Sequence, residues 1–519
     1  MTCSDVEVDQ QAAEECLLTR EAIGFITALH HNFEARRQEC LTQRKRRQRQ
    51  FDLGHLADFL DLKGDLGERE WTVAPLPPEL RDQRVVVAAP ADWDSLSRGL
   101  SAGADVFVAD FDDRSSPTWA NCLKYHDNLR KFAGTMEAHT ADDRIRNHTV
   151  LFVRPRNWSL EEKHFLVKGS PISASLFDFG LYFFHNACTL LGSRTAPYFS
   201  LPKLESRLEA RLWKDIFRFA EDQLEISRGS IRVNITIETV PAVSEAEEIL
   251  FELRDYAAAL ECSPSNYIAS LAKSCRAYRE ALLPQRNDIT MNQPFLRAYQ
   301  ELLVHTGHKR GVSALSAGLP LFIAPNDPSR NPWVRSSPLP HAQCEIEMGF
   351  DGICVADIDL VPAALSAFEG HIKARPNTGS TKSQCYISSA DLLSRAFGQV
   401  TMASLRENVE SILEYLDAWL TGDGSIRLGN RMENMANVEL YRAQLWQWMR
   451  YSVRLACGRK VDRNLIECLV RDQLATQECR IGEADYSASK FPLAAKLLLD
   501  ACSDGLDSPL AVHAYVYLS

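Results

Sequence analysis

The sequence lacks any apolar run long enough to cross a bilayer. Its first residues, MTCSDVEVDQQ, also lack the hydrophobic core of a secretory signal peptide. These two absences predict a cytoplasmic protein with no membrane partner. A peroxisomal location is a second interpretation, but the last residues, Tyr517-Leu518-Ser519, differ from an SKL-type peroxisomal signal.

Basic residues are outnumbered in this chain. Lysine and arginine together number 58, against 69 aspartates and glutamates, which gives a formal net charge of -11. Binding to nucleic acid gains much of its free energy from counterion release, which requires a concentrated basic surface. The composition therefore argues against a general nucleic-acid binder and favours small molecules as partners.

Closely spaced cysteine pairs are missing as well. The 14 cysteines are scattered, and none of them form the CxxC pairs that are typical of structural zinc sites. We expect them to be reduced thiols. The rest of the composition, 45% hydrophobic and 24% charged, is that of a compact globular protein, and 519 residues are enough for two or three domains.

From residue 84 onwards, short apolar runs alternate with longer segments of helical character. Such repeated βα units predict an α/β fold, and at this length a closed (β/α)8 TIM barrel is the leading form. In such a barrel the functional residues lie on loops at the carboxyl ends of the strands. The apolar runs lie at 84–89, 105–110, 149–153, 198–201, 231–237, 311–314 and 352–356.

The segments on either side of these βα units have a different pattern. Residues 17–50 are predicted to form a long polar helix with apolar positions at helical spacing, and 390–519 are mostly helical in period. A stretch rich in Pro, Gly and Ser, RPNTGSTKS, separates the βα units from the second helical region. We therefore predict an N-terminal helical clasp at 1–83, a barrel at 84–374, a linker at 375–383 and a C-terminal helical domain at 384–519.

Several stretches of the chain resemble malate synthases. They include VRPRNWSLEEKHFLVKGSPISASLFDFGLYFFHNA at 153–187, PYFSLPKLESRLEARLWKDIF at 197–217 and IRVNITIETVPAV at 231–243, in the order of that family. The resemblance implies a (β/α)8 barrel with an N-terminal helical clasp and a C-terminal helical plug that closes over the barrel mouth. It also implies a transferase that joins acetyl-CoA to glyoxylate. In that reaction a carboxylate removes a methyl proton, Mg2+ holds glyoxylate and an arginine stabilises the enolate oxygen.

Two of the four positions that the resemblance assigns to this chemistry hold the expected residue. Arg154 matches the arginine and Glu238 matches the first metal carboxylate. Asn266 stands where the family has an aspartate ligand, and Asn434 stands where it has the aspartate base. An amide carbonyl brings no charge to a strongly hydrated cation, so Mg2+ binding is expected to be weakened. An amide also cannot take a proton from a thioester methyl group at neutral pH.

Further candidate residues lie near the same strand ends. Arg156 follows Arg154 and is a candidate for bidentate binding of a substrate carboxylate or phosphate. Asp357 and Asp359 replace a His-Pro-Gly turn of the family, and they are candidates for a new acid/base pair or metal site, with plain surface solvation as the alternative. An acidic cluster in VADFDDR, residues 108–114, is a further candidate for cation binding.

Three functions stay open at this point. The first is an altered enzyme that acts on a different acyl thioester or 2-oxo acid, in a specialised biosynthetic pathway, and forms or breaks a C–C bond. The second is a non-catalytic relative, a pseudoenzyme that binds a ligand or a partner protein. The third is a genuine malate synthase of the glyoxylate cycle. Intact family stretches beside altered site residues are compatible with both of the first two functions.

Overall fold

A computed structural model describes most of the chain. The described residues are 6–8, 16–60, 66, 69–138, 149–193, 195–317, 340–369, 387–429, 431–455, 457–503 and 505–519. The predicted linker at 375–383 lies outside them. The barrel strands run from Val85 to Val355, within the predicted barrel range, whereas the exact domain boundaries stay a prediction.

Eight parallel strands close into a barrel, in the order β10-β11-β2-β3-β4-β7-β8-β9, which confirms the predicted TIM-barrel fold. The strands of such a barrel are covered on both faces and therefore consist of continuous apolar runs, such as VVVAA and VFVAD. The strands are β1 (Val6–Val8), β2 (Val85–Ala89), β3 (Val106–Asp110), β4 (Val150–Arg154), β5 (Glu161–Val167), β6 (Ser170–Ser173), β7 (Tyr198–Leu201), β8 (Arg232–Ile237), β9 (Ala257–Cys262), β10 (Ser313–Ala317), β11 (Gly352–Val355), β12 (Ile426–Leu428) and β13 (Arg431–Glu433).

Strand β9 is the barrel strand that the apolar runs did not predict. Its sequence, AAALEC, is dominated by alanine, which has a low intrinsic preference for strands. The strand forms because its neighbours β8 and β10 pair with it on both sides.

Helices surround the barrel and form both flanking regions. No helix in the described ranges combines the length and apolarity that a membrane-spanning segment needs. The helices are α1 (Arg20–Asp52), α2 (Leu56–Leu60), α3 (Trp93–Ser101), α4 (Trp119–Ala138), α5 (Ala174–Gly192), α6 (Arg207–Gln223), α7 (Val240–Ser244), α8 (Ala246–Glu252), α9 (Pro264–Ser274), α10 (Pro294–Arg310), α11 (Pro340–Met348), α12 (Val361–Glu369), α13 (Ser389–Leu392), α14 (Met402–Leu420), α15 (Met435–Arg450), α16 (Arg463–Ile481), α17 (Glu483–Ala488), α18 (Phe491–Ser503) and α19 (Leu510–Tyr515).

Helix α1 forms the predicted N-terminal clasp. The side chain of Thr19 caps its first turn, and its apolar face packs on α5 and α6 outside the barrel. Its basic residues are used in this packing, because Arg44 forms an ion pair of 2.6 Å with the buried carboxylate of Glu209. The helix is therefore held to the barrel by charge as well as by apolar contacts.

Helix α15 brings the C-terminal domain to the barrel mouth. It packs against α9, which follows barrel strand β9. The backbone N–H of Met435, at the start of α15, donates to the backbone oxygen of Asp113 at 3.0 Å. The C-terminal helices therefore cover the same end of the barrel at which the strands β3 and β9 terminate.

Within the described ranges, a buried acid on helix α11 has a single polar side-chain partner. Glu345 of α11 is 3% exposed, and its carboxyl group accepts a hydrogen bond from Ser316 Oγ of β10 at 2.9 Å. Burial raises the pKa of Glu345 from 4.5 to about 7. In the folded protein this group therefore binds a proton at a pH at which the unfolded chain has released it.

We expect the free energy of unfolding to fall as pH rises from the unfolded pKa of Glu345 towards its folded value of about 7. A shift of this size corresponds to roughly 3 kcal/mol. Urea denaturation at pH 5 and pH 8 measures this change. Between the two pH values, the free energy of unfolding should fall less for Glu345→Gln than for the wild type. Equal losses in the two proteins would contradict the assignment of this effect to Glu345.

Candidate active site

The polar residues at the carboxyl ends of the barrel strands surround a small pocket of about 60 Å3. Asp110 and Arg154 are the last residues of β3 and β4, and Glu261 lies near the end of β9. The start of α15 closes the pocket from the other side. The lining residues are Ala88, Asp110, Asp113, Arg114, Arg154, Glu261, Ser263, Pro264, Ser265, Ala317, Cys354, Ala356, Asn434, Ala436 and Asn437.

Arg154 is fixed at the floor of this pocket by three side chains. Its Nη1 donates to Asp110 at 3.3 Å, its Nη2 to Glu261 at 2.9 Å and its Nε to Ser200 Oγ at 3.1 Å. Burial opposes its charge, but Glu261 and Asp110 outweigh burial and raise its pKa well above the usual range. The guanidinium is therefore a permanently charged donor in a fixed orientation, which suits stabilisation of an oxyanion.

Asn266 bridges the two carboxylates nearest to it. Its Nδ2 donates to Glu238 Oε2 at 2.6 Å and to Asp113 Oδ2 at 2.8 Å. The other oxygen of Glu238 accepts the backbone N–H of Lys203 at 2.7 Å. Burial raises the pKa of Glu238 to about 7, although the ammonium of Lys203 acts in the opposite direction.

Lys203, which was not among the candidates predicted from the sequence, pairs with two carboxylates of the acidic cluster. Its Nζ lies 2.6 Å from Asp112 Oδ2 and 2.6 Å from Asp113 Oδ1. Its backbone has a positive φ of 51°, so the chain turns sharply after β7. The position of a lysine directly after an apolar strand, in SLPKLE, is the signal that could have found it.

The donors present here do not fit a divalent cation in this arrangement. Mg2+ requires oxygen ligands, whereas the Asn266 nitrogen faces both Glu238 and Asp113, and the Lys203 ammonium lies between Asp112 and Asp113. Within the described residues, no three His, Cys, Asp or Glu side chains are placed to hold a metal ion. The cluster is satisfied by hydrogen-bond donors of the protein.

Asn434 lies at the pocket wall and caps helix α15. Its Oδ1 accepts the backbone N–H of Asn437 at 3.1 Å, and the residue is 8% exposed. The neighbouring carboxylate of Glu433 accepts the hydroxyl hydrogen bond of Tyr441 at 2.9 Å and is not among the residues that line the pocket. The side chain that the pocket meets at this position is therefore an amide.

Arg156 makes the bidentate contact expected of it, but with a carboxylate of the protein. Its Nε and Nη2 donate to Asp178 at 2.9 and 2.7 Å, and its Nη1 donates to Glu162 at 2.7 Å. All three side chains are buried, and Arg156 does not line the pocket. Burial favours a neutral Asp178, but Arg156 outweighs it and lowers the pKa of that carboxyl group to about 2.

Asp357 and Asp359 connect the barrel with the C-terminal domain. Asp357 Oδ2 accepts a hydrogen bond from Arg427 of β12 at 2.9 Å, and Asp359 accepts one from Arg98 of α3 at 3.1 Å. Neither of the two lines the pocket formed by the described residues. The structure thus pairs these carboxylates with arginines and does not bring them to Glu238 or Arg154.

Comparisons with known proteins cover all three regions of the chain. Family models match at residues 6–63 (malate synthase, N-terminal domain), 150–395 (malate synthase, TIM barrel domain) and 399–518 (malate synthase, C-terminal). A malate synthase of Myxococcus xanthus is 39% identical over 506 residues, which are 96% of this chain and 93% of the relative. The chain belongs to the malate synthase family.

Other relatives and solved structures carry the same family name. A malate synthase of Arabidopsis thaliana is 35% identical over 521 residues, which cover 97% of this chain and 92% of the relative. Among solved structures, a Haloferax volcanii malate synthase in a magnesium/glyoxylate complex matches 84% of this chain and 98% of its own, with a TM-score of 0.44 and 11% identity.

The buried ion pairs of Arg156 predict a structural role for this arginine. We expect Arg156→Met to lower the free energy of unfolding by about 3–5 kcal/mol, because Asp178 and Glu162 then stay buried without their partner. The matched control is Arg36→Met, because Arg36 and its partner Asp215 form an exposed ion pair. Their side chains are 39% and 34% solvent-accessible. Removal of such an exposed pair should cost less than about 1 kcal/mol. Equal losses in urea denaturation would contradict the assignment.

Proposed function

We propose that this chain is an altered enzyme of the malate synthase family, which acts on an acyl thioester and a 2-oxo acid without a carboxylate base at position 434. The observation that carries the proposal is the presence of Asn434 and Arg154 in the same pocket. Arg154 keeps the donor that an enolate oxygen needs, whereas Asn434 offers an amide where the family reaction needs a proton acceptor. We therefore propose that the acyl substrate is a thioester other than acetyl-CoA.

The other carboxylates near the pocket are poor replacements for the missing base. Asp110 accepts the backbone N–H groups of Asp112 and Asp113 and pairs with Arg154. Glu261 pairs with Arg154 and accepts the hydroxyl hydrogen bond of Thr236. The oxygens of both carboxylates are therefore occupied by donors of the protein, and a general base needs an oxygen within hydrogen-bond reach of the proton that it removes.

The proposal includes a site with weakened or no use of Mg2+. Asn266 supplies no negative charge, and its nitrogen already serves Glu238 and Asp113. Stripping the hydration shell of Mg2+ is costly, and the loss of one charged ligand removes much of the compensation. A bound 2-oxo acid would then depend on the arginine and on backbone donors of the barrel mouth.

A non-catalytic relative is the second candidate, and one observation favours it. The acidic cluster is internally paired by Lys203 and Asn266, so the mouth of the barrel is stable without a metal or a substrate. A protein that only binds a ligand or a partner would require a stable fold of this kind and no catalytic group. Turnover of any thioester with a 2-oxo acid would decide against this candidate.

An assay with acetyl-CoA, glyoxylate and Mg2+ tests the role assigned to Asn434. We expect the wild type to release no free CoA above background, because a general base typically contributes about 10² to 10⁴ in rate. Asn266→Asp together with Asn434→Asp should raise the release by a factor of that order. Asn266→Asp alone is the control, since it leaves the base absent. Wild-type turnover at an ordinary enzyme rate would instead establish a genuine malate synthase.

Thermal unfolding with and without millimolar Mg2+ tests the site around Asn266. We expect the melting temperature of the wild type to be insensitive to Mg2+. Asn266→Asp should melt at a lower temperature without Mg2+, because a third carboxylate would face Glu238 and Asp113, and should be restored by Mg2+ through binding to the folded state. Asn292→Asp adds the same charge at an exposed position and should show neither effect. A large Mg2+ shift in the wild type would contradict the proposal.

A further inference from the structure

The pocket wall formed by Arg114 and the start of α15 presents hydrogen-bond donors. Asn434 Oδ1 is held by the backbone N–H of Asn437, and a backbone N–H requires an oxygen, so the amide can only be oriented with Nδ2 on the other side. Within the described part of the chain, Asn434 Nδ2 has no acceptor, and the side chain is more than nine-tenths buried and lines the pocket. An N–H2 group that lines a pocket without a protein acceptor is a donor that a ligand oxygen can use.

Arg114 adds a positive charge to the same wall. Its Nη1 donates to the backbone oxygen of Ala356 at 3.0 Å, which fixes the guanidinium at the edge of the pocket. Among the described residues, its Nε and Nη2 have no acceptor, so donors are available for a ligand. In contrast to Arg154, this arginine is not paired with a carboxylate within the described ranges.

The amino terminus of α15 lies beside these two side chains. The helix has 16 residues, and Ala436 in its first turn also lines the pocket. The partial positive charge at the start of a helix favours an anion there. An amide nitrogen, a guanidinium and a helix terminus thus line this pocket, whose three carboxylates are already paired with Arg154 and Lys203, so the free donors suit a carboxylate of a ligand.

We propose that this wall binds the free carboxylate of a malonyl-type thioester, an acyl thioester with a second carboxylate on its reacting carbon. The inference rests on the proposed function and names its donor substrate. In the family reaction the group at position 434 faces the proton that leaves the reacting carbon. In a malonyl-type thioester the carboxylate occupies the place of that proton, and it leaves as CO2.

The reaction balances without a base. The bond between the reacting carbon and the carboxylate breaks, CO2 leaves, and the electron pair stays as the thioester enolate, whose oxygen faces Arg154. The enolate carbon then bonds to the carbonyl carbon of the 2-oxo acid, and the resulting alkoxide takes a proton from water. Hydrolysis of the hydroxyacyl thioester by water releases the CoA thiol and a dicarboxylate. With glyoxylate the products are malate, CoA and CO2.

An aspartate at position 434 would oppose this use of the pocket. Its charge would repel the substrate carboxylate, whereas Asn434 donates a hydrogen bond to it. A neutral amide also adds no second ion pair to the one that Arg114 forms with this carboxylate, so it orients the group with less ground-state attraction against the loss of CO2. The same substitution that removes a base for acetyl-CoA therefore creates a binding group for malonyl-CoA.

The test uses the purified full chain with malonyl-CoA or acetyl-CoA as donor, and with glyoxylate or pyruvate as acceptor. We expect CoA and CO2 to be released in equal amounts from malonyl-CoA, at a rate at least about 100-fold above that with acetyl-CoA. Asn434→Asp should reverse this preference without unfolding, because aspartate is an equally good helix cap. Arg114→Gln should raise the KM for malonyl-CoA about ten- to hundredfold, through the loss of hydrogen bonds to a charged group, and leave acetyl-CoA affinity unchanged in calorimetry.

The outcomes separate the two proposals. Absence of malonyl-CoA turnover overturns the present inference. If another acyl thioester is then turned over with a 2-oxo acid, the proposed function stands and the donor assignment alone is wrong. If no thioester is turned over while the protein still binds one in calorimetry, both fail and the non-catalytic candidate is favoured. Malonyl-CoA turnover that Asn434→Asp leaves unchanged also overturns the role given to Asn434.

Discussion

The barrel mouth depends on a balance of buried charge. Arg154 and Lys203 supply two positive charges against five carboxyl groups, which leaves the acidic groups in excess, and burial raises the pKa of Glu238 to about 7. An amide at position 266 relieves this excess, because it adds no charge and donates to two carboxylates at once. The carboxyl groups of this cluster are Asp110, Asp112, Asp113, Glu238 and Glu261.

Membership of a family fixes the architecture of this chain but not its reaction. The clasp, the barrel and the C-terminal helices agree with the family over nearly the whole length. A reaction, in contrast, depends on the individual groups that meet the substrate. At this mouth Arg154 lines the pocket and positions 266 and 434 hold amides, and under the proposed function these amides change both the cation chemistry and the proton chemistry that are available.

The sequence predicted the parts of the structure that follow from burial along the chain. Continuous apolar runs predicted seven of the barrel strands, and the alanine-rich β9 was missed because its formation depends on its neighbours. Partners of charged residues were not predictable, since they come from distant segments. Arg427 and Asp357 are 70 residues apart, and Lys203 and Asp112 are 91 apart. Periodicity reports which side chains are buried, and it carries no information on which charges meet.

The capping role of Asn434 has a consequence for the history of this site. Asparagine and aspartate cap a helix almost equally well, so exchange of one for the other at the start of α15 leaves the stability of the fold nearly unchanged. A single amino-acid replacement can therefore remove or restore a proton acceptor while the protein still folds with nearly the same stability. The choice between asparagine and aspartate at position 434 therefore affects the reaction and hardly affects folding. Selection at this position acts on the reaction.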